Sequence, residues 1–558
     1  MFFPSFGFWR NKAAPILATS GIVSNRLLEH NLYIGNNVTH YCIPETQNNT
    51  KHLEFCTKPA GDCKSGCFID RTAVLVGSKP NELTFPGPII NAWKGDTLSI
   101  NVHNRLRDPR METETSIHWH GIMQHQTSWA DGVAFVTECP IPSGKSFKYE
   151  FPITDQAGTF WYHSHLGAQY CDGLRGALIV RDPQDPGRFG YNAEDGEEFY
   201  TDTIHNDNTV ITLSDWFRQR AAEGPSLPDL TLINGQVRPI ISVQKDKKYR
   251  FRLISMACAV PWEFAIDEHR LNVIEVEGTL IKPYKIMRIP IHPGQRYSFI
   301  QLNPASGIPS LWSLTLYRRR GTRRRDYSQH YVAKSSKVVI KRSEPRVFFE
   351  LPQSSEKDTT LDQDLEFHEI EVGLAKAPGG KFAGFALNGK KYERPSMPAL
   401  LNILNNKMDP SDFPDGTIFV ERNKTIQVTF KKADSIQGGP HPMHLHGHTF
   451  SVLRSVGDMR NLTEIDYIRH PPIQRDTVAT SEFIHSANKT TSEVIIRFRT
   501  DNPGPWIMHC HIDAHLVLGM AIIFAEAKSE IIKYQKNMPT AAMKQQCVDY
   551  WASNPRPL

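Results

Sequence analysis

The chain has 558 residues and a mass of 63.4 kDa, enough for three or four domains of ordinary size. Its net charge is +5 and 40% of its residues are hydrophobic, which is typical of a globular protein and excludes wholesale disorder. Two counts are unusual: 23 His, and nine Cys, an odd number. In a secreted protein that pairs its cysteines, one Cys must then have another role.

The N-terminus gives only a weak indication of where the protein acts. Arg10 and Lys12 precede a short apolar stretch, residues 13–23, that makes a marginal signal peptide. No apolar stretch approaches the roughly 20 residues that a membrane-spanning helix needs. Sequons for N-glycosylation begin at Asn37, Asn48, Asn423, Asn461 and Asn488. We therefore expect a secreted, extracellular or cell-wall protein without a transmembrane segment, although the signal peptide is not clear.

Alternation of apolar and polar residues predicts half-buried strands. It is seen at Leu98, Ile100 and Val102, and it returns at residues 426–430 and 494–498. Helical patterning is confined to short pieces such as residues 399–404. Short strands separated by Gly, Pro and Asn turns predict an all-β protein built from β-sandwiches.

Three similar segments, residues 96–104, 247–255 and 424–432, predict one recurring strand in each of three domains. An Asp/Pro/Gly-rich stretch at 181–190 and a basic tract near residue 345 suggest the domain boundaries. We predict an N-terminal extension, three domains in succession, and the last of these carrying the mononuclear metal site discussed below. The predicted ranges are 1–69, 70–182, 183–345 and 346–558.

The positive charge is concentrated in residues 318–346, which hold eleven basic and two acidic residues. One interpretation is contact with a polyanion such as cell-wall polysaccharide, pigment or anionic lipid. The alternative, which we favour, is a solvated hairpin or inter-domain loop. No aromatic interleaving or base-reading motif supports nucleic-acid binding.

Four His-x-His pairs are the strongest chemical signal in the sequence. On a strand, residues i and i+2 point to the same side, so each pair directs two imidazoles to one place. Imidazole is a ligand for copper, zinc, iron and nickel. A single pair is weak, but four pairs in two clusters near opposite ends of the chain predict a metal site. The pairs occupy residues 118–120, 163–165, 444–446 and 509–511.

The pair at 509–511 has a cysteine between its histidines. If this segment is extended, His509 and His511 face one way and Cys510 faces the other, so one strand serves two metal sites. Cys510 with His441, His515 and the thioether of Met520 would make the ligand set of a blue-copper centre. The eight imidazoles of the four pairs remain for a second site, which is too many for one ion.

Long stretches of the chain resemble the multicopper oxidases, and among them the basidiomycete-type fungal laccases. The resemblance runs from about residue 70 to 550 and includes SIHWHGIMQ, SWADGVAFVTECPI, AGTFWYHSHLGAQYCDGLRGALIV, PHPMHLHGHTF and RFRTDNPGPWIMHCHIDAHL. It implies three consecutive cupredoxin-like Greek-key β-sandwich domains. It also implies four copper ions, one of type 1, one of type 2 and two of type 3.

The family pattern assigns each ligand. Type 1 copper would be held by His441, Cys510 and His515, with Met520 at the axial position. Type 2 copper would be held by His118 and His444. One type 3 ion would take His120, His163 and His511, and the other His165, His446 and His509.

Two further residues of these motifs are not ligands in the pattern. Asp131 matches the family's acidic residue near the cluster, a candidate proton relay, although it could equally orient a backbone turn. His448 is expected to have a structural or outer-sphere role.

The cysteine count follows from the resemblance. With Cys510 as a ligand, the family pattern implies the disulfides Cys171–Cys258 and Cys139–Cys547. The remaining cysteines lie in the extension, where we expect two disulfides in one of three pairings. A small metal site is the alternative, but the paired CxxC spacing is missing. These residues are Cys42, Cys56, Cys63 and Cys67.

The implied activity is that of a laccase, a benzenediol:oxygen oxidoreductase. Phenols, diphenols or aromatic amines would lose single electrons through the exposed edge of His515, and the electrons would cross from Cys510 to His509 and His511. Four such transfers would reduce dioxygen to two waters. Met520 stands where many high-potential fungal laccases have Phe or Leu, and this predicts a lower type 1 potential.

The expected phenol pocket also departs from the family. Ala259 replaces the usual carboxylate after the disulfide cysteine, and Glu263 could substitute for it as the acceptor of the phenolic proton. A ferroxidase is the alternative enzyme, but Gln437 stands where those enzymes have Asp, and Asp434 is off register. A copper-binding electron carrier is a further alternative, which the eight additional imidazoles disfavour. We expect a monomer.

Overall fold

The structure is a computed structural model in which most of the chain is described. It describes residues 26–42, 54–56, 67–182, 209–224, 228–236, 241, 248–266, 269–302, 364–432, 440–455, 467, 470–480 and 493–554. The basic tract at 318–346 and Cys63 lie outside the described residues. The function of that tract and the pairing of the four N-terminal cysteines stay predictions.

The first region forms two sheets. One has the strand order β2-β1-β5-β7 with β3 also paired to β1, and the other has the order β4-β9-β8-β6. The strands are β1 (Leu27–Cys42), β2 (Glu54–Cys56), β3 (Cys67–Gly77), β4 (Gly87–Trp93), β5 (Thr97–Asn104), β6 (Ile117–His120), β7 (Ser146–Pro152), β8 (Gly158–Ser164) and β9 (Arg175–Arg181).

The second region has a six-stranded sheet of order β11-β10-β12-β17-β14-β15 and a small sheet of β13 with β16. The strands are β10 (Val210–Trp216), β11 (Leu230–Ile233), β12 (Lys248–Ser255), β13 (Trp262–Phe264), β14 (Leu271–Val276), β15 (Thr279–Ile286), β16 (Ile289–Ile291) and β17 (Arg296–Leu302).

The third region again has two sheets, of order β19-β18-β21-β26-β23-β24 and β20-β28-β27-β22-β25. Its strands are β18 (Leu365–Lys376), β19 (Phe382–Leu387), β20 (Ile418–Val420), β21 (Thr425–Lys432), β22 (Pro442–Leu445), β23 (Phe450–Arg454), β24 (Gln474–Arg475), β25 (Thr477–Ala479), β26 (Val494–Arg499), β27 (Gly504–Cys510) and β28 (Ala521–Glu526). Its helices are α1 (Ala399–Leu404), α2 (Asp513–Val517), α3 (Ile531–Tyr534) and α4 (Thr540–Ser553).

The predicted recurring strand is confirmed. The three segments form β5, β12 and β21, and each pairs parallel to one neighbour and antiparallel to another. Their alternating apolar side chains are buried, as at Leu98, Ile100 and Val102. The three strands thus hold equivalent positions in three sheets.

The regions are joined by shared cores and by two disulfides. One buried cluster combines residues of the first and third regions, and another combines the second and third. The structure contains the Cys139–Cys547 and Cys171–Cys258 bridges and leaves Cys510 as a buried free thiol, as the resemblance implied. The exact domain boundaries stay a prediction.

The 14-residue helix α4 differs from the expectation of short helical pieces only. Met543 and Cys547 are its main buried apolar residues, and Gln546 lies between them on the same face. Because a polar residue interrupts the apolar stripe, the helical period is weak in the sequence. Among the described residues, no helix has the length and apolar character needed to cross a membrane.

Candidate metal centres

Strand β27 brings the two candidate sites together. It is buried along its whole length and lies between β22 and β28. Its alternation continues through the next residue, so His509 and His511 point to one side and Cys510 to the other. His509 Nε2 lies 3.1 Å from His446 Nε2, whereas Cys510 Sγ lies 3.4 Å from His515 Nδ1. The side chains of the two candidate sites therefore lie on opposite faces of one strand.

The side of β27 that carries His509 and His511 holds the eight-imidazole cluster. Strands β6 and β8 pair so that His118 lies opposite His163, and β22 pairs so that His444 lies opposite His509. Within each of three groups, one nitrogen per ring lies within 4.8 Å of the others. The groups are His118, His120 and His444; His120, His163 and His511; and His165, His446 and His509.

These rings are buried, and their nitrogens lie close to one another. Burial first, and then repulsion between neighbouring rings, lowers the pKa of His509 to about 3 and holds the pKa values of His120, His163 and His165 well below the ordinary value. The Nε2 atoms of His118, His163 and His444 are buried without a hydrogen-bond partner among the described residues. A bound metal ion would satisfy these buried ring nitrogens, which have no hydrogen-bond partner in the described part of the chain. The eight imidazoles therefore fit as ligands of a metal cluster.

Backbone carbonyls fix several of these rings. Nδ1–H of His118 donates to the carbonyl of Asp131 over 2.8 Å, and Nδ1–H of His444 donates to that of Asp476 over 2.9 Å. His163 donates in the same way to the carbonyl of Ser164 over 2.9 Å. Such hydrogen bonds select the tautomer and leave Nε2 free to face the cluster.

The opposite side of β27 holds the second site. His441, Cys510 and His515 place their ligand atoms within 4.8 Å of one another. Burial raises the pKa of the Cys510 thiol, so the thiolate needs a cation beside it. Burial and the neighbouring His441 lower the pKa of His515 to about 3. Two imidazoles and a cysteine sulfur make the equatorial ligand set of a blue-copper site.

Met520 is buried beside this second site. Its carbonyl accepts the N–H of Cys510 over 3.1 Å, and its own N–H donates to the carbonyl of His515 over 2.9 Å. Its axial role remains a prediction.

Family comparisons agree with this geometry. Profiles described as multicopper oxidase match residues 80–185, 207–306 and 392–530. The chain belongs to the multicopper oxidase family. Laccase-2 of Fomitopsis schrenkii is 42% identical over 497 residues, covering 82% of this chain and 87% of that protein. A laccase of Phlebia radiata is 40% identical over 495 residues, with 82% and 86% covered.

A solved structure gives the same answer for the fold. The crystal structure of the laccase from Botrytis aclada matches with a TM-score of 0.70 and 25% identity, covering 96% of this chain and 94% of that one. The predicted all-β, cupredoxin-like architecture is confirmed. This multicopper oxidase is laccase-like and has copper cofactors.

Asp131 lies where the sequence predicts an acidic residue. The side chain is fully buried, with Oδ2 3.0 Å from Nδ1 of His446 and Oδ1 3.2 Å from Nδ1 of His118. It thus contacts one cluster ring from the first region and one from the third. His448 lies apart from the ligand groups, with Nε2 2.9 Å from Oε2 of Glu526.

Two carboxylates beside the cluster were not identified from the sequence. Asp513 is buried, with Oδ2 3.2 Å from the sulfur of Cys171, and burial raises its pKa well above the ordinary value. It lies two residues after His511, and this position was a usable signal. Asp476 contacts His120. Burial would raise the pKa of its carboxyl group, but the Arg296 guanidinium together with the contacts to His120 and His444 outweighs burial and holds the pKa well below the ordinary value.

The outer side of the mononuclear site is aromatic. His515 is half-buried, and the Phe385 ring lies 4.3 Å from it, centroid to centroid. Phe382 continues this row with its ring 5.6 Å from Phe385, and it is 57% exposed. We call Phe382 and Phe385 the aromatic ledge.

The predicted phenol pocket is only partly described. Glu263 is half-exposed on β13 and has no hydrogen bond to a histidine among the described residues. The N–H of Ala259 donates to Asp215, which also accepts from Cys258 and so holds this loop. Asp434 and Gln437 lie outside the described residues.

Proposed function

We propose that this multicopper oxidase is a laccase that oxidises phenols, diphenols or aromatic amines by single electrons and reduces dioxygen to water. It would use four copper ions, with the ligands grouped as the sequence predicts. The observation that carries the proposal is β27, in which one cysteine and its two neighbouring histidines connect a mononuclear site to an eight-imidazole cluster.

When bound, copper would supply one-electron transfer at the mononuclear site and the four-electron reduction of dioxygen at the cluster. Oxidation of four substrate molecules by one electron each releases four protons, and one dioxygen with four electrons and four protons gives two waters. The cluster therefore has to receive both electrons and protons, four of each for every dioxygen.

The chain's own residues would serve these two needs. His515 is half-buried beside the aromatic ledge, so an aromatic donor can stack there within reach of the imidazole edge. From Cys510, covalent bonds lead along the backbone to His509 and His511. This route keeps the substrate away from the cluster.

Protons would be held by carboxyl groups beside the cluster. Asp131 can exchange a proton at Oδ2 with Nδ1 of His446. Asp513, whose pKa is raised by burial, can hold one on its carboxyl group. Glu263 is our proposed acceptor of the phenolic proton at the substrate end.

Location and assembly are part of the proposal. Two disulfides link separate regions, which favours an oxidising compartment. Asn423 is exposed in the turn before β21 and heads an intact sequon, so it can carry a glycan. We infer secretion, and the monomeric state stays a prediction.

Copper counting and oxygen uptake test the function. The full chain should bind four coppers and consume oxygen with catechol or dimethoxyphenol more readily than with ferrous iron or ascorbate. Cys510→Ser should retain the cluster, lose the type 1 signal and lose oxygen uptake. One copper with no oxygen uptake, or ferrous iron as the best donor, would contradict a laccase.

A further inference from the structure

The second region supplies none of the proposed copper ligands, yet it touches the cluster directly. Gly294, in the turn before β17, has φ +86, and a Cβ there would lie 2.8 Å from Cδ2 of His511 and 3.1 Å from Cε1 of His120. Only glycine fits such a close approach in this backbone conformation. The turn therefore packs against ligands from two other regions.

Arg296 follows this turn and is completely buried. Its Nη1 and Nη2 donate to the two carboxylate oxygens of Asp476 over 2.7 and 2.6 Å, and its Nε donates to the carbonyl of Thr159 over 3.0 Å. A Cβ on Gly121, the residue after His120, would lie 2.3 Å from Nη2 of Arg296. The guanidinium thus joins all three regions at one point beside the cluster.

Asp476 orients two cluster rings in opposite senses. Its Oδ1 accepts Nε2–H of His120 over 3.2 Å, which turns Nδ1 of that ring toward Nε2 of His511, 3.1 Å away. Its main-chain carbonyl accepts Nδ1–H of His444, which turns Nε2 of that ring inward. One residue therefore determines which nitrogen each of two rings offers.

Glu277, also from the second region, holds the backbone of the same residue. Its Oε2 accepts the N–H groups of Asp476 and Thr477 over 2.8 and 3.0 Å, and its Oε1 pairs with Arg475. The Arg296 carbonyl in turn accepts the N–H of Glu277 over 3.1 Å. Side chain and main chain of Asp476 are thus fixed from one side by neighbouring residues of the second region.

We propose that Arg296 and Glu277 are positioning residues through which the second region sets the geometry of the type 2 side of the cluster. A bidentate guanidinium–carboxylate pair fixes both distance and plane, which a lysine ammonium does not reproduce. The inference rests on the proposed function, because it assumes that His118 and His444 hold the type 2 copper.

The test compares Arg296→Lys with Arg250→Lys in the full copper-loaded chain. Arg250 is a matched control, since it is a buried arginine of the second region paired with a carboxylate, Glu275, over 2.6 Å. The readouts are the type 2 electron paramagnetic resonance signal and the half-time of copper loss during dialysis against a chelator. The type 1 absorbance reports folding.

Arg296→Lys should keep the type 1 absorbance and lose type 2 copper roughly 10 to 100 times faster than the unaltered chain, the usual scale for changes behind a metal ligand. Glu277→Gln is the second variant, because an amide has one acceptor oxygen and cannot accept from both the backbone N–H groups and the Arg475 guanidinium. It should shift in the same direction.

Two results would overturn the inference. One is type 2 copper retained by both Arg296→Lys and Glu277→Gln as firmly as by the unaltered chain. The other is equal loss from Arg250→Lys, which would indicate general destabilisation. Failure of the proposed function is distinguishable, since it would appear in the unaltered chain itself, as a missing type 2 signal or as ferrous iron being the best donor.

Discussion

Glu138 gives the sharpest test of electrostatics in this fold. Its carboxyl group is buried, and Oε1 accepts the hydroxyl of Tyr149 over 2.6 Å. Burial, and to a smaller extent the negative charge of Asp131, raises its pKa from 4.5 to about 8. The folded chain therefore holds a proton here that the unfolded chain releases above about pH 4.5.

The sign of the effect follows from this difference. Between about pH 4.5 and 8 the folded state binds more protons than the unfolded state, so the free energy of unfolding falls as pH rises. Each pKa unit is worth about 1.4 kcal/mol, so Glu138 costs about 3 kcal/mol of stability at pH 7. Glutamine accepts the same hydroxyl and does not titrate.

Glu138→Gln should therefore be more stable than the unaltered chain at pH 7 and equally stable near pH 4. With about 2.1 cal/mol/K of unfolding entropy per residue, the gain corresponds to roughly 3 °C in Tm for a chain of this size. Calorimetric scans of the copper-loaded protein between about pH 4 and 8.5 measure it. The control is Glu82→Gln, at an exposed carboxylate paired with Lys79.

The dependence on pH is the decisive feature. A Tm difference of the same size at every pH would mean that Glu138 does not titrate in this range. A lower Tm for Glu138→Gln at pH 7 would mean that the buried carboxylate is stabilised, contrary to the burial argument.

Other experiments test the mononuclear site, where electrons enter, and the N-terminal extension. Met520→Leu should raise the type 1 potential in a redox titration, because the thioether stabilises oxidised copper; an unchanged potential would contradict an axial role. Phe382→Ala should raise KM for aromatic donors about two- to tenfold, which is the effect of losing one ring contact. Phe367→Ala is the control, because Phe367 is also exposed, and it should leave KM unchanged. Equal effects of the two changes would contradict substrate stacking on the aromatic ledge. Non-reducing peptide mapping should find Cys42, Cys56, Cys63 and Cys67 in two disulfides, and their recovery as free thiols would contradict that expectation.

Local periodicity predicted the strands and the two-sided arrangement of β27. A period of two is a property of the extended chain, so the orientation of His509, Cys510 and His511 needs no tertiary information. The recurring strand was predictable for the same reason, since its alternation survives in each region. The family resemblance supplied the two disulfides, which spacing alone leaves open.

The residues that position the ligands could not be predicted from local periodicity. Asp476 is 356 residues from His120 and 180 residues from Arg296, and only the docking of three regions brings them together. Nothing in the local pattern distinguishes such an aspartate from one on the surface. Helix α4 was missed for a different reason, because its buried face carries a glutamine.

The Cys139–Cys547 bridge makes the chain a covalent ring with a sequence separation of 408, and the Cys171–Cys258 bridge closes a smaller ring inside it. His118 and His120 are the only proposed copper ligands outside the large ring. A protease that cuts once between residues 139 and 547 therefore opens the ring without releasing a fragment. On a gel, such a nicked chain runs as one species until a reducing agent separates its pieces.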